Sequence, residues 1–335
     1  MAPGGPRLAT PGLAGARAQL VDLGRQYRAG TLGLPSPFFP APDAIEPALA
    51  PQGEGPLGTQ VVDLAWESGY VPFLPAAREP YAAHRENGTA HVRWWTSGRG
   101  RPTIVVLHGW AGGTHWMTAR AFDVAYWLRH GYDVAAFVLP FHGARAPGGR
   151  SGALFPSTNP LRTNEAFGQA IYDLRGLAAW LRGRGSSAVG VIGMSLGGYT
   201  AALWASIDAE LAFAVGLIPA VSFSRLMWRH GEQSPVRRRA VQAGITEDLL
   251  ADAFAVHAPT SRPALVPPDR LFVVAGRGDQ ITPPDQAEAL AAHWGVEILW
   301  FDGGHLAQVG RGDAMRVVRR RLGALDLPGR AFRSS

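Results

Sequence analysis

Val189-Gly-Val-Ile-Gly-Met-Ser195-Leu-Gly-Gly-Tyr-Thr-Ala-Ala202 joins an apolar segment to an alanine-rich one through glycines on both sides of a single serine. The first segment is typical of a short buried strand, and the second of a helix. At a sharp strand-to-helix turn the two backbones crowd each other, so the residues two before and two after the serine must be small. Gly193 and Gly197 stand at those two positions. The stretch predicts a serine nucleophile above the end of a strand, although a chance match is the alternative in a chain with 42 glycines.

The alternation of strands and helices continues on both sides of this stretch. Repeated βα units of this kind predict a mainly parallel sheet with helices on both faces. The predicted strands are Thr103–Leu107, Asp133–Leu139, Ala188–Gly193, Leu211–Leu217, Arg270–Ala275 and Val296–Phe301. The predicted helices are Trp116–His130, Asn164–Arg182, Leu196–Ser206, Pro283–Trp294 with Thr282 as its N-cap, and Ala314–Leu322.

A serine hydroxyl is a weak nucleophile, so it needs a neighbouring base and an acid that orients the base. Asp279 follows the predicted strand that ends at Ala275, and His305 follows the one that ends at Phe301. Their order along the chain, serine, then acid, then histidine, is the one expected for a nucleophile of this type. The alternatives are a turn-forming aspartate and a surface histidine. Asp302 is a poorer candidate for the acid, because it lies too close in sequence to His305 to reach around the ring easily.

The loop His108-Gly109-Trp110-Ala-Gly-Gly113 follows the first buried strand and predicts the second half of an oxyanion hole. Two backbone N–H groups must meet the developing oxyanion, one from the residue after the nucleophile and one from this loop. We predict Leu196 and Trp110 as the two donors. His108 is interpreted as structural, holding the loop by hydrogen bonds. No group of residues has the spacing of metal ligands.

These motifs, in this order, resemble the α/β-hydrolase superfamily over about Gly58 to Leu322. The resemblance implies a mostly parallel sheet of about eight strands with helices on both faces, a Ser-His-Asp triad of Ser195, His305 and Asp279, the oxyanion hole above, and no cofactor. Pro140-Phe-His-Gly-Ala-Arg145-Ala-Pro147 is similar to the Pro-Phe-[Tyr/His]-Gly-x-Arg-x-Pro loop of a little-characterised abhydrolase group. Arg145 is interpreted as a structural or substrate-side residue.

The predicted domain organisation has three parts. Residues 1–57 form a Pro/Ala/Gly-rich extension with one helix over 13–28 and a loop over 47–58; residues 58–325 form the hydrolase domain; residues 326–335 form a tail. Two helices predict a lid within 219–268, one between Ser234 and Gly244 and one capped by Thr246. Asn87-Gly88 predicts a β-hairpin turn between strands over 81–85 and 89–95.

Composition excludes several function classes. The chain has no cysteine, which excludes disulfides and thiolate catalysis, and its net charge of +6 comes from dispersed arginines without any lysine. No nucleic-acid recognition motif accompanies the arginines. No apolar run approaches the roughly 20 residues of a membrane helix. The N-terminus lacks the continuous apolar core of a signal peptide, so a cytoplasmic location is the default expectation.

The predicted reaction is hydrolysis of a small-molecule or lipid ester through an acyl-enzyme. An acyltransferase, a thioesterase or a serine peptidase would use the same residues, and a non-catalytic binding protein is the remaining alternative; the oligomeric state stays open. A serine in place of a carboxylate nucleophile excludes a haloalkane-type dehalogenase. Apolar lid residues beside arginines predict an apolar acyl pocket with a basic rim that suits an anionic ester, against the alternative of solvated arginines. These residues are Phe223, Leu226, Met227, Trp228 and Phe254, with Arg145, Arg150, Arg162, Arg225, Arg229, His230 and Arg237 to Arg239.

Overall fold

One nine-stranded sheet organises the chain in the computed structural model, which describes residues 13–28, 36–325 and 327. The strands lie in the order β1-β2-β3-β5-β4-β6-β7-β8-β9. They are β1 (Ala48–Glu54), β2 (Gln60–Glu67), β3 (Thr89–Thr96), β4 (Thr103–Leu107), β5 (Asp133–Phe137), β6 (Val189–Met194), β7 (Ala214–Leu217), β8 (Leu271–Gly276) and β9 (Ile298–Phe301).

The strands from β4 to β9 form the parallel part of the sheet, and β1 to β3 are added to it in antiparallel pairs. Strands β4, β5, β7 and β8 are buried along their whole length, which explains their continuous apolar sequences. Because parallel strands end at the same edge, the loops that follow β4, β6, β7, β8 and β9 meet there. The fold therefore brings the predicted functional residues to one edge of the sheet.

Helices cover both faces of the sheet, as expected. Val105 and Val106 in β4 point into two different hydrophobic clusters, one on each face. The helices are α1 (Leu13–Arg28), α2 (Pro75–Ala82), α3 (His115–Ala121), α4 (Val124–Arg129), α5 (Pro160–Gly183), α6 (Leu196–Ala205), α7 (Phe223–His230), α8 (Pro235–Gln242), α9 (Glu247–Phe254), α10 (Pro284–Trp294) and α11 (Arg311–Ala324). None of the described helices is both long and apolar enough to cross a membrane.

The N-terminal segment is joined to the rest of the fold by a buried carboxylate. Glu165 on α5 accepts hydrogen bonds from the hydroxyls of Tyr27 on α1 (2.5 Å) and Tyr70 (2.6 Å). Phe38 and Phe39 are buried in the same core.

The predicted hairpin at Asn87-Gly88 is wrong. The segment before it forms α2, and Asn87 lies in a single 3-10 turn. The Asn87 side chain is buried; its amide donates to Gln169 Oε1 (2.7 Å), and its oxygen accepts the Phe141 N–H (2.9 Å). These long-range bonds, rather than a hairpin turn, decide the local conformation.

Three other regions differ from the prediction. Residues 48–54 form the edge strand β1 instead of a loop, which makes nine strands rather than about eight. The predicted helix over 116–130 is two helices, because Asp123 adopts a left-handed conformation (φ 48°) between them. The lid region has three helices, since α7 precedes the two predicted ones; the caps Ser234 and Thr246 are confirmed. The predicted tail over 326–335 lies outside the described residues except for residue 327, and the division into domains stays a prediction.

Candidate active site

Ser195 lies alone between the end of β6 and the start of α6, in a strained conformation. Its φ of 56° and ψ of −113° fall in a region that non-glycine residues rarely adopt. The surrounding backbone holds it there: the Ser195 N–H donates to Leu217 O (3.0 Å), and its carbonyl accepts the N–H groups of Tyr199 (3.0 Å) and Ala220 (3.2 Å). The turn is therefore fixed by α6 and by the neighbouring strand β7.

The two flanking glycines are required by close backbone contacts. A methyl group at Gly193 would lie 1.9 Å from the Gly197 carbonyl oxygen. A methyl group at Gly197 would lie 2.0 Å from the Leu107 carbonyl oxygen on β4. Both distances are far below van der Waals contact, so the pattern of small residues has the physical cause that the sequence predicts.

Asp279 is a buried carboxylate in the loop after β8. Its Oδ1 accepts the N–H groups of Ile281 (2.8 Å) and Thr282 (2.9 Å), and its Oδ2 accepts from His305 Nδ1 (2.8 Å). Burial raises the pKa of Asp279, but the bonds from His305 and from the two N–H groups outweigh it, so the net pKa is lowered. The carboxylate is thus ionised and holds one nitrogen of the imidazole.

His305 follows β9 and turns toward Asp279. Both neighbours of its Nδ1, Asp279 Oδ2 and Thr282 Oγ1 (3.1 Å), can accept, so we assign the proton to Nδ1 and leave Nε2 as an acceptor. Gln308 Nε2 donates to His305 O (2.8 Å) and lies 3.8 Å from the sulfur of Met194, the residue before Ser195. The histidine loop therefore packs against the serine turn.

The serine and the imidazole do not yet form a hydrogen bond. Within the described residues, the contacts of His305 Nδ1 are with Asp279 and Thr282, and no bond joins Ser195 Oγ to His305. Bonds between a nucleophile and its base are often long without substrate and tighten when it binds. The structure thus brings acid and base into contact and the serine into their neighbourhood.

Thr282 belongs to this site, which the sequence interpretation missed. Pro283, not Thr282, stands at the N-cap of α10, so the predicted cap is wrong. The Thr282 hydroxyl donates to Ile218 O (3.0 Å) and lies 3.1 Å from both Asp279 Oδ2 and His305 Nδ1. Its position three residues after the aspartate was the available signal, because a threonine there can fold back onto the carboxylate.

The predicted oxyanion donors belong to two segments that border Ser195. Leu196 is the first residue of α6, where backbone N–H groups have no partner within the helix. The loop after β4 also approaches Ser195, since a methyl group at Gly109 would lie 3.4 Å from Ser195 Cβ. Trp110 follows Gly109, and its indole donates to Gly152 O (2.8 Å). The roles of Leu196 and Trp110 as donors stay predictions.

His108 holds this loop by two hydrogen bonds. Its Nε2 accepts the Leu139 N–H (3.1 Å), so Nδ1 carries the proton and donates to Gly109 O (2.8 Å). Burial lowers the pKa of His108 to about 3, aided by the nearby His142 and opposed by the bond to Gly109. An imidazole that is neutral and makes two hydrogen bonds fits the interpretation of His108 as a structural residue.

Arg145 does not line the site. Its side chain is fully buried, pairs with Asp173 (2.9 Å) and donates to the carbonyl oxygens of Asn87 (3.0 Å) and Val138 (3.3 Å). This position contradicts a substrate-side role and leaves the structural one. Arg145 is buried because Asp173 on α5 is a buried carboxylate, and a buried carboxylate requires a cation beside it.

Several arginines of the predicted basic rim contact protein partners. Arg225 and Arg229 both face Asp285, at 3.2 and 3.9 Å, and Arg237 lies over the Trp228 ring at 4.8 Å. The apolar lid side chains are also engaged, because Phe223, Leu226 and Phe254 are buried in the main core. The lid side chains pack against the main core, so these three residues do not line an open acyl pocket.

In the described part of the chain, no group of three or more His, Asp or Glu side chains is placed to hold a metal ion.

Several known proteins are similar to this chain in sequence. Residues 165–310, which include Ser195, Asp279 and His305, match the model of an uncharacterised protein family (UPF0227). The chain is 29% identical over 312 residues to the uncharacterized protein MT2702 of Mycobacterium tuberculosis (strain CDC 1551 / Oshkosh), covering 89% of this chain and 73% of that one. It is 33% identical over 276 residues to the uncharacterized protein Rv2627c (strain ATCC 25618 / H37Rv), covering 78% of this chain and 65% of that one.

A solved structure decides the fold. The acetyl xylan esterase from Paenibacillus sp. R4 superposes with a TM-score of 0.60 at 14% identity, over 94% of this chain and 96% of that one. The chain has the α/β-hydrolase fold. In this α/β-hydrolase fold Ser195 occupies the strand-to-helix turn, as the resemblance implies, whereas the chemistry has to be argued from the residues of the site.

Proposed function

We propose that this protein is a serine hydrolase that cleaves carboxylic esters through an acyl-enzyme intermediate. The 2.8 Å bond between His305 Nδ1 and Asp279 Oδ2, in a loop packed against the Ser195 turn, carries the proposal. It supports the proposal because an imidazole oriented by a carboxylate presents its other nitrogen as a base. The strained turn at Ser195 and the flanking N–H groups at Leu196 and Trp110 supply the remaining requirements of acyl transfer.

In the proposed mechanism His305 Nε2 takes the proton of Ser195 Oγ as the oxygen attacks the ester carbonyl carbon. The Leu196 and Trp110 N–H groups stabilise the oxyanion, each by about 3–4 kcal/mol at the transition state. Collapse of the intermediate breaks the C–O bond, and the alcohol leaves with the proton from His305. Water, deprotonated by His305, then attacks the acyl-serine, which releases the carboxylic acid and restores Ser195.

A fluorophosphonate probe tests the nucleophile directly, because it reacts with activated serines. We expect the wild type to be labelled and to hydrolyse p-nitrophenyl esters, and Ser195→Ala to lose both properties. Ser187→Ala is the matched control. Ser187 lies just before the start of β6, and its hydroxyl has no hydrogen-bond partner in the structure. An unlabelled wild type, beside a serine hydrolase that is labelled in the same assay, would refute the proposal.

The same experiment separates the alternatives. A thioesterase, an acyltransferase or a peptidase would also be labelled at Ser195, so product analysis with thioesters, alcohols, amines and peptides as substrates or acceptors distinguishes them. A non-catalytic binding protein would show no labelling and would keep its biological role in the Ser195→Ala variant.

A further inference from the structure

Large apolar side chains are exposed mainly in the segments that follow the carboxyl ends of the parallel strands. Among the described residues eleven such side chains are exposed, and eight of them follow the carboxyl ends of β4, β7, β8 and β9. We call these eight the apolar rim: Trp110, Trp116, Met117, Val236, Val241, Ile281, Leu306 and Val309. A concentration of exposed apolar surface on one edge marks a binding surface more often than scattered residues do.

Three residues of the apolar rim lie at or close to the proposed site residues in sequence. Leu306 directly follows His305 and is 87% exposed, and Ile281 follows Asp279 by two positions and is 44% exposed. Trp110, the predicted oxyanion donor, is 62% exposed. These side chains stand beside the groups that a substrate must reach.

The rim flanks the serine on two sides. On the β4 side, Gly109 brings its loop next to Ser195. On the β9 side, Gln308 brings the loop that carries Leu306 against Met194. The loops that carry Trp110 and Leu306 therefore both border the Ser195 turn.

Three arginines of the predicted basic rim are paired with carboxylates. Arg225 and Arg229 share Asp285. Arg145, from the neighbouring loop, is buried and paired with Asp173. Exposed apolar surface complements a hydrocarbon better than a carboxylate or a phosphate.

We propose that the apolar rim binds the hydrocarbon part of the substrate, and that the preferred substrates are neutral esters of medium- or long-chain aliphatic acids. This inference rests on the proposed function and specifies its substrate class. An octanoyl chain extends well beyond an acetyl group from the carbonyl carbon, so it has apolar surface to place on the rim. Burial of apolar surface is favourable in proportion to its area, so efficiency increases with chain length.

A chain-length series tests the rim. We expect wild-type kcat/KM to rise at least fivefold from p-nitrophenyl acetate to p-nitrophenyl octanoate. The double variant Leu306→Ser/Val309→Ser loses most of this ratio. The control variant Leu49→Ser/Leu57→Ser keeps it, because these side chains are also exposed but lie in β1 and in the turn after it, and β1 is at the opposite edge of the sheet from β9.

A binding measurement keeps the inference testable apart from catalysis. Ser195→Ala protein is titrated with a fluorescent octanoyl ester, with and without the two rim substitutions, and its oligomeric state is measured in parallel. Rim-dependent binding without hydrolysis by the wild type supports the rim and refutes the proposed function. Hydrolysis with equal efficiency on acetate and octanoate refutes the rim and keeps the proposed function. A wild-type dimer that the rim substitutions convert to a monomer would assign the rim to a second copy of the chain and overturn the inference.

Discussion

Thr282 connects the proposed acid and base to the strand beside Ser195. Its single hydroxyl lies 3.1 Å from Asp279 Oδ2 and 3.1 Å from His305 Nδ1, and it donates to Ile218 O at 3.0 Å. Ile218 has a φ of 41°, which is unusual for a β-branched residue and indicates local strain at the end of β7. The same stretch holds the serine turn, since Leu217 O accepts the Ser195 N–H. We interpret Thr282 as a positioning residue that acts through His305 and Asp279.

Replacing Thr282 tests this interpretation. Thr282→Val keeps the shape of the side chain but removes the hydroxyl, which frees the imidazole on one side and leaves Ile218 O without its donor. We expect kcat for ester hydrolysis to fall by about tenfold or more while KM stays near its wild-type value. Thr282→Ser restores the hydroxyl and most of the rate. A purely structural role would lower stability in Thr282→Val without lowering kcat of the folded protein, and that result would contradict the interpretation.

At the scale of elements, the contact between β4, β6 and α6 is the closest in the site. The Gly197 backbone lies so near Leu107 O that an added methyl group would stand 2.0 Å from it. Both partners are main chain, so relief requires α6 to move away from β4. We expect Gly197→Ala to lower the free energy of unfolding by about 3 kcal/mol or more in urea denaturation.

Gly183→Ala is the matched control for this prediction. Gly183 is the last residue of α5, has a helical rather than left-handed backbone, and a methyl group there would meet nothing within 4 Å. Alanine favours a helix over glycine by up to about 1 kcal/mol, so this variant should unfold at the same or higher urea concentration. Equal losses in the two variants would show that the close contact at Gly197 is not what requires glycine.

Elements with a strong local signal could be predicted from the sequence. The buried parallel strands appear as apolar runs, and the Ser195 turn is specified by residues within five positions. Asn87-Gly88 shows where such reasoning fails: its local preference is a hairpin, but Gln169 and Phe141 compete for the Asn87 side chain. Strand β1 was missed because it is an exposed edge strand with Pro51 and Gly53, so it lacks an apolar alternation.

Partners that are distant in sequence account for the errors within the site. The local sequence does not indicate that Arg145 is buried, because its partner Asp173 lies on α5. Thr282 was interpreted as a helix cap because that role is local, whereas its partners Ile218 and His305 come from other strands. Asp279 and His305 were predictable because each follows a strand, and parallel topology alone brings such positions to one edge.

At the scale of the whole molecule, three buried histidines are held neutral. Burial lowers the pKa of His108 and His257 to about 3 and that of His142 to about 4. His257 lies behind the nucleophile helix, where Tyr199 OH is 2.7 Å from its Nδ1 and Asn164 Oδ1 is 3.1 Å from its Nε2. His108 and His142 lie in the loops after β4 and β5, with ring centres 5.0 Å apart. The site is thus surrounded by imidazoles that bind protons poorly in the folded state.

These histidines make the fold sensitive to acid. Unfolded histidines bind protons as the pH falls through about 6.5, whereas the folded ones stay neutral to about pH 4 or below, so protons favour the unfolded chain over that interval. Stability is therefore complete above about pH 7 and declines as the pH falls, by up to roughly 1.4 kcal/mol per pH unit for each histidine. We expect urea denaturation between pH 6.5 and 4.5 to show this slope, and His257→Gln to reduce it by up to about 1.4 kcal/mol per pH unit. Because His257→Gln can lower stability at every pH, the slope rather than the midpoint at one pH is decisive, and an unchanged slope would contradict a neutral, buried His257.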